Sequence, residues 1–199
     1  DLHSFPTRRS SDLSFIASNI TMKPEFNMML GFSEDDVREM IRYYQSVGKI
    51  TREEDDIIEE MRPWYNNYCF SKQSLATDPK MFNCDMVLYF IKNLIQSGHS
   101  PEQMIDPNTR TDYGKMKRLI RLDGTSTYRT GVINEIAQKG FIIGNVEESF
   151  PAERLTQPDK FVSLLFYYGM LTIGDTAGAM LKLIIPNHNV RRQYYDYLL

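Results

Sequence analysis

The stretch Phe161–Leu199 constrains the fold most, because helical, strand and again helical periodicities follow one another there without a break. Phe161, Leu164, Leu165 and Tyr168 fall at i, i+3, i+4 and i+7, the spacing that places four side chains on one helix face. After Gly169 the period drops to two. Leu171 and Ile173 alternate, a polar turn with Gly174, Asp175 and Gly178 follows, and Leu181, Leu183 and Ile185 alternate again. That pattern predicts a β-hairpin with one buried face. Pro186 stops the second strand, and Val190, Tyr194, Tyr197 and Leu198 return to helical spacing.

Helix, hairpin, helix is the minimal arrangement of a winged-helix-like unit, expected over 157–199. Each piece exposes a single apolar face, and only mutual packing removes all three from water. Phe161, Leu165, Tyr168, Leu171, Ile173, Leu183, Val190 and Tyr194 are therefore expected in one buried cluster.

The preceding chain reads as mostly helical. Ser14–Phe32 is short, mixed and methionine-rich, with Pro24 blocking a long helix, and reads as a linker. Ser33 and Asp36 form a capping-box pattern ahead of Val37, Met40, Ile41 and Tyr44, and Gly48 ends that helix. Thr51 and Glu54 repeat the box before a helix with Ile57, Ile58 and Met61 inward, and Pro63 either closes it or opens the aromatic run that follows. Met86, Leu88, Tyr89, Phe90, Ile91, Leu94 and Ile95 predict a helix apolar on most sides and central in the core, ending at Gly98. Ser100, Pro101 and Gln103 predict a short helix that Pro107 ends. Tyr113–Leu122 is a basic amphipathic segment, Tyr128–Lys139 a further helix, and Phe141–Ile143 a short strand.

Two clusters invite a functional reading. The acidic run Glu53–Glu60 suggests a metal site, but carboxylates crowd helix N-termini because the macrodipole favours them, and no coordinating loop is present. The aromatic run Trp64, Tyr65, Tyr68 and Phe70 suggests a base-stacking platform, yet a knot of aromatics after a helix is more often core. The expectation is an outward-facing helix start for the first and core for the second.

Catalytic signatures are missing from the sequence. A phosphate-cradling loop needs GxxxxGK[ST], and the two Gly-Lys pairs, Gly48-Lys49 and Gly114-Lys115, are followed by Ile and Met. No GxSxG, HExxH or CxxC occurs, and His99 and His188 fall in turns. No catalytic, cofactor-binding or metal-ligating residue is assigned. Cys69 and Cys84 lack metal-ligand spacing and point to a reducing, cytoplasmic setting. No apolar run approaches the roughly 18 residues of a membrane span. A net charge of −3 supplies no global field for nucleic acid, so such contact would fall to local groups: Lys115, Lys117, Arg118 and Arg121 on the basic segment, and Arg191 and Arg192 near the end.

Residues 1–13, DLHSFPTRRSSDL, fit nothing downstream and resemble, residue for residue, the in-frame translation of a common sequencing adapter. The expectation is that native coding sequence enters at about Ser14, in mid-protein.

From there the succession SNITM (18–22), LGFSEDDVREMIRYY (30–44), EEMRPWYNNYCFS (59–71), MFNCDMVLYFI (81–91), SLLFYYGMLTI (163–173) and IPNHNVRRQYYDYLL (185–199) resembles a bacterial predicted AAA-ATPase-like family. Its members are often fused to a C-terminal PD-(D/E)XK nuclease-like domain. Trp64, Tyr65, Tyr68, Phe70, Gly169, Pro186 and Asn187 match the family pattern as structural positions. Asn67 stands where that pattern has glycine, and Met170 where it has tyrosine.

The resemblance implies a P-loop ATPase whose nucleotide site, with ATP and magnesium, lies in a core preceding Ser14. It implies an α+β, predominantly α chain: 14–32 as exit from that core, 33–156 as a helical lid-like region, 157–199 as the winged-helix-like unit. The core in cis would be the principal partner, with a nuclease-like domain following in some members. Two alternatives stand beside it, a nucleic-acid-binding winged-helix module and a protein-interaction domain.

Overall fold

The computed structural model describes residues 19–107, 126–149, 157 and 160–198. Residues 1–13, the basic segment 113–122 and most of the stretch leading into Phe161 lie outside the described residues, and so do the expectations attached to them.

The chain is α+β and mostly helical. Helix α1 spans Glu34–Ser46, α2 Glu54–Tyr65 and α3 Cys84–Ser97; α4 spans Ser126–Lys139 and leads into strand β1, Phe141–Gly144. Then come α5 (Phe161–Tyr167), strands β2 (Thr172–Ala177) and β3 (Met180–Ile184), and α6 (His188–Leu198). The three strands form one antiparallel sheet in the order β1-β3-β2, so β1 lies on the far side of the hairpin's second strand. No helix among the described residues is long and apolar enough to cross a membrane.

Local chemistry explains most boundaries. The capping box forms as expected: Asp36 N donates to Ser33 Oγ at 3.2 Å, and Ser33 N donates back to Asp36 Oδ2 at 2.7 Å. Asn83 caps α3 through Met86 N, and Gly98 closes it in the left-handed region at φ +74°.

Several boundaries differ from the sequence reading. The second capping box does not form, and α2 starts behind Glu53 with no side-chain cap. Glu54 is occupied instead by Arg38 and Arg42, and charge-assisted bonds outcompete a neutral cap. Pro63 lies within α2, where only the last turn must do without its N–H. The short helix after Ser100 is absent, because the Ser100 hydroxyl that would cap it bridges Arg52 and Glu60. Gly174 and Asp175 lie in β2 rather than in the turn. The register shifts between Ile173 and Asp175, making Gly174 a bulge residue, and the chain reverses at Gly178, φ +63°, and Ala179.

Two hydrophobic clusters result. The first unites α1, α2 and α3 through Val37, Ile41, Ile57, Met61, Tyr65 and Phe90. Val87, not Leu88, points inward, so α3 is one-sided where near-complete burial was expected. The second unites α4, the sheet, α5 and α6 through Ile133, Phe161, Leu165, Leu171, Leu183 and Tyr194. Of the eight residues expected there, seven are present; Tyr168 is 56% exposed. Helix α5 ends at Tyr167, so the i+7 extrapolation fails and Phe166 and Met170 fill the space. Leu198, expected inward, is exposed.

The expected lid-like region is spread over both clusters: α1–α3 build the first, whereas α4 and β1 share the sheet and core of the last three elements.

Candidate functional site

The motif residues picked out in sequence converge on the junction between the two clusters. The chain leaving α2, Trp64–Phe70, crosses from the first cluster to the second and meets the sheet and the start of α6. Asn67 Nδ2 donates to Pro186 O at 2.9 Å, and Asn187 Nδ2 donates to Asn66 O at 3.0 Å. These two amide bonds run in opposite directions and tie Asn66–Asn67 to Pro186–Asn187. The Asn187 side-chain oxygen meanwhile accepts from Val190 N at 3.1 Å, so one side chain caps α6 and reaches across the junction.

Further along, Cys69 joins the edge of β2. Its N–H donates to Thr172 Oγ1 at 2.7 Å, the Thr172 hydroxyl donates to Cys69 O at 2.9 Å, and Ile173 N donates to the same carbonyl at 3.2 Å. All are buried, where an unmet backbone group costs about 1–3 kcal/mol.

Aromatic rings fill the remaining space. Trp64 meets His188 edge to face at 5.5 Å, Tyr68 stacks on Phe70 at 6.0 Å, and Phe70 meets Phe166 edge to face at 6.3 Å. Gly169 has φ +70° and lies against the Tyr68 ring, where an added Cβ would come within 3.7 Å. Tyr65 is fully buried and donates to Met104 O at 2.7 Å; burial pushes its phenol far above the ordinary range. Tyr65 and Tyr68 are buried, as expected of core, while Trp64 and Phe70 are half-buried against the two clusters.

Three residues in the junction carried no sequence signal read as such. Asn27, inside the expected linker, is buried and accepts from Phe70 N at 2.8 Å and Ser71 N at 3.0 Å, while its amide donates to Asp78 at 3.0 Å. Thr172 falls within the resembling stretch SLLFYYGMLTI, but nothing local to it points to Cys69. Asn67 did leave a trace: its backbone is at φ +85°, a region where glycine is the least strained choice and asparagine the next. The glycine expected there by resemblance and the asparagine present meet the same backbone demand.

The acidic run is held by arginines. Arg38 bonds Glu34, Glu54 and Asp55, Arg42 bonds Glu54, Arg62 bonds Glu34, and Arg52 pairs with Glu60. Hydrogen bonds from Arg42 and Arg38 hold the Glu54 carboxyl below its ordinary range. At Glu34, burial is the largest single influence and pushes upward, but Arg62 and Arg38 together outweigh it and the carboxyl is held low. No group of three or more potential metal ligands occurs among the described residues.

Of the nucleic-acid candidates, Lys115, Lys117, Arg118 and Arg121 lie outside the described residues. Arg191 and Arg192 are exposed on α6, and the Arg191 guanidinium lies beside Gly140 at the end of α4.

Among the described residues, open apolar surface includes a pocket and a groove. The pocket, of about 240 Å³, lies between the Ile20–Leu30 segment and Phe70, Phe166 and Tyr167; on that segment Met29 is 65% and Leu30 69% exposed. The groove, of about 790 Å³, lies between α1 and α3. Comparison with known proteins found no matching family model, no matching curated protein and no matching solved structure.

Proposed function

We propose that this chain is the helical, lid-like part and winged-helix-like tail of a P-loop ATPase of the AAA type. In this reading it docks on a nucleotide-binding core and follows its state as one rigid body, leaving hydrolysis to the core. The observation that carries the reading is the junction: WYNNYCF lies more than a hundred residues from both LTI and PNHNV, all three picked out by the resemblance, and it bonds to each of them there. A body that transmits motion must not flex between its parts, and reciprocal buried hydrogen bonds supply that stiffness.

Two further observations support it. Helix, hairpin and helix follow one another over the last part of the chain, and β1 adds to the far side of the hairpin, an order that supports the winged-helix-like reading of the tail. The run Met28–Leu30 also leaves contiguous large apolar side chains in solvent, as a surface covered by another domain would.

The test has two arms. Calorimetry of this chain with ATP and magnesium should show no saturable binding; binding that a single substitution in this chain removes would overturn the reading. With a nucleotide-binding core joined in cis, Leu30→Glu should reduce turnover at least about tenfold with nucleotide affinity retained, and unchanged turnover would refute the docking. A DNA titration at two salt concentrations decides the alternative: steeply salt-dependent binding lost in Arg191→Ala and Arg192→Ala would replace the coupling role with a nucleic-acid one.

A further inference from the structure

We infer that the groove between α1 and α3 receives an amphipathic helix from a partner protein, one with an apolar stripe and lysine or arginine toward one end. The floor is apolar: Phe32, Met40, Tyr44, Ile91 and Ile95 line it. Its walls leave large side chains in water, with Tyr43 62% and Leu88 50% exposed. Helix α1, with 13 residues, is about 20 Å long, which matches roughly three turns of a docked helix.

Charge selects the occupant. The two arginines of α1, Arg38 and Arg42, are drawn to the α2 side by Glu34, Glu54 and Asp55. The carboxylates of α1 that line the groove, Asp36 and Glu39, therefore have no arginine beside them, and Lys92 is the one cationic side chain among the lining residues. The acidic character is concentrated at one end. Phe32 and Phe82 bridge just ahead of α1 and α3, which brings both helix starts together. Asp36 lies in the first turn of α1 and Asp85 in the first turn of α3, so both carboxylates sit at that end. An apolar stripe fills the floor while a cationic end meets Asp36 and Glu39, with Asp85 close by at the start of α3; an acidic helix would meet like charge there.

Fluorescence anisotropy tests this with a labelled synthetic helix of about three turns carrying leucine at i, i+3, i+4 and i+7 and lysine elsewhere, beside its glutamate counterpart. The lysine peptide should bind at least about ten times more tightly. Leu88→Arg, at an exposed position, should weaken it at least about tenfold, and Glu39→Lys about three- to tenfold, the latter effect shrinking at high salt. Asp56→Lys on the outer face of α2 should leave affinity unchanged. Equal binding of the two peptides, or equal loss at Asp56, would overturn the inference. So would indifference to both groove substitutions. Sedimentation showing a dimer that Leu88→Arg dissolves would assign the groove to a second copy of this chain instead.

Discussion

Asn187 reaches Asn66 across the junction: its amide nitrogen donates to the Asn66 carbonyl at 3.0 Å while its oxygen caps α6 through Val190 N. The two roles can be separated. Aspartate caps a helix as well as asparagine does but has no donor, so Asn187→Asp keeps the cap and sets a carboxylate against a carbonyl. The expected cost is about 1–3 kcal/mol in urea denaturation. A cost near zero would mean that the cross-junction bond contributes nothing.

At Asn67, backbone and side chain make opposite demands on a substitution. Glycine keeps the φ of +85° but loses the bond to Pro186, whereas alanine loses the bond and meets a strained backbone. Asn67→Gly should cost about 1 kcal/mol, and Asn67→Ala about 1 kcal/mol more. Denaturation midpoints in the reverse order would remove the conformational explanation of this position.

Within the second cluster, Leu165→Ala should cost about 2–5 kcal/mol, because Leu165 is buried among Phe161, Leu171 and Tyr194. Tyr168→Ala and Arg192→Ala, both at exposed positions, should each cost under about 0.5 kcal/mol. Thermal unfolding of the three variants checks the ranking, and a harmless Leu165→Ala would sink the cluster.

Gly174 sits where an added Cβ would lie 2.6 Å from Ile184 Cγ2, closer than real Cβ contacts come. Gly174→Ala should therefore destabilise by about 1–3 kcal/mol. Trimming the obstructing side chain should restore part of that loss, so the double variant with Ile184→Ala should be more stable than additivity allows. Strict additivity would place the cost in the backbone of the bulge.

The α1–α2 ion network gives a pH dependence with a defined sign. The Glu54 carboxyl, and likewise that of Glu34, is held below the ordinary 4.5. Its contribution is fully present above that value and is lost as pH falls below it through the lowered folded-state value. Glu54→Gln should flatten stability against pH in this acid window and change stability near neutrality by about 1 kcal/mol or less. An unchanged acid slope would show that other groups set it.

Much of the fold was legible because local chemistry decides it. Ser33 with Asp36, Gly98, and the alternation Leu171–Ile173 and Leu181–Leu183 each act through neighbours within four residues, and each appears where the spacing placed it. Two of the misreadings share one cause. Glu54 and Ser100 have the residue types of local caps, but a partner distant in sequence claims each side chain: arginines from α1 for Glu54, and Arg52 with Glu60 for Ser100. Tyr168 failed for a related reason, because periodicity marks a face but not where the helix stops.

The junction lies at the far end of that scale. By itself the sequence determined most of the elements, the inward faces of α1, α2 and the hairpin, and the presence of an unusual run, WYNNYCF, followed much later by IPNHN. That Asn66 and Asn67 would bond Pro186 and Asn187, and that Cys69 would bond Thr172, only the tertiary structure decided. An amide side chain looks the same in a sequence whether it faces water or a carbonyl more than a hundred positions away. Its partner is chosen by how the two hydrophobic clusters pack, which no local pattern encodes.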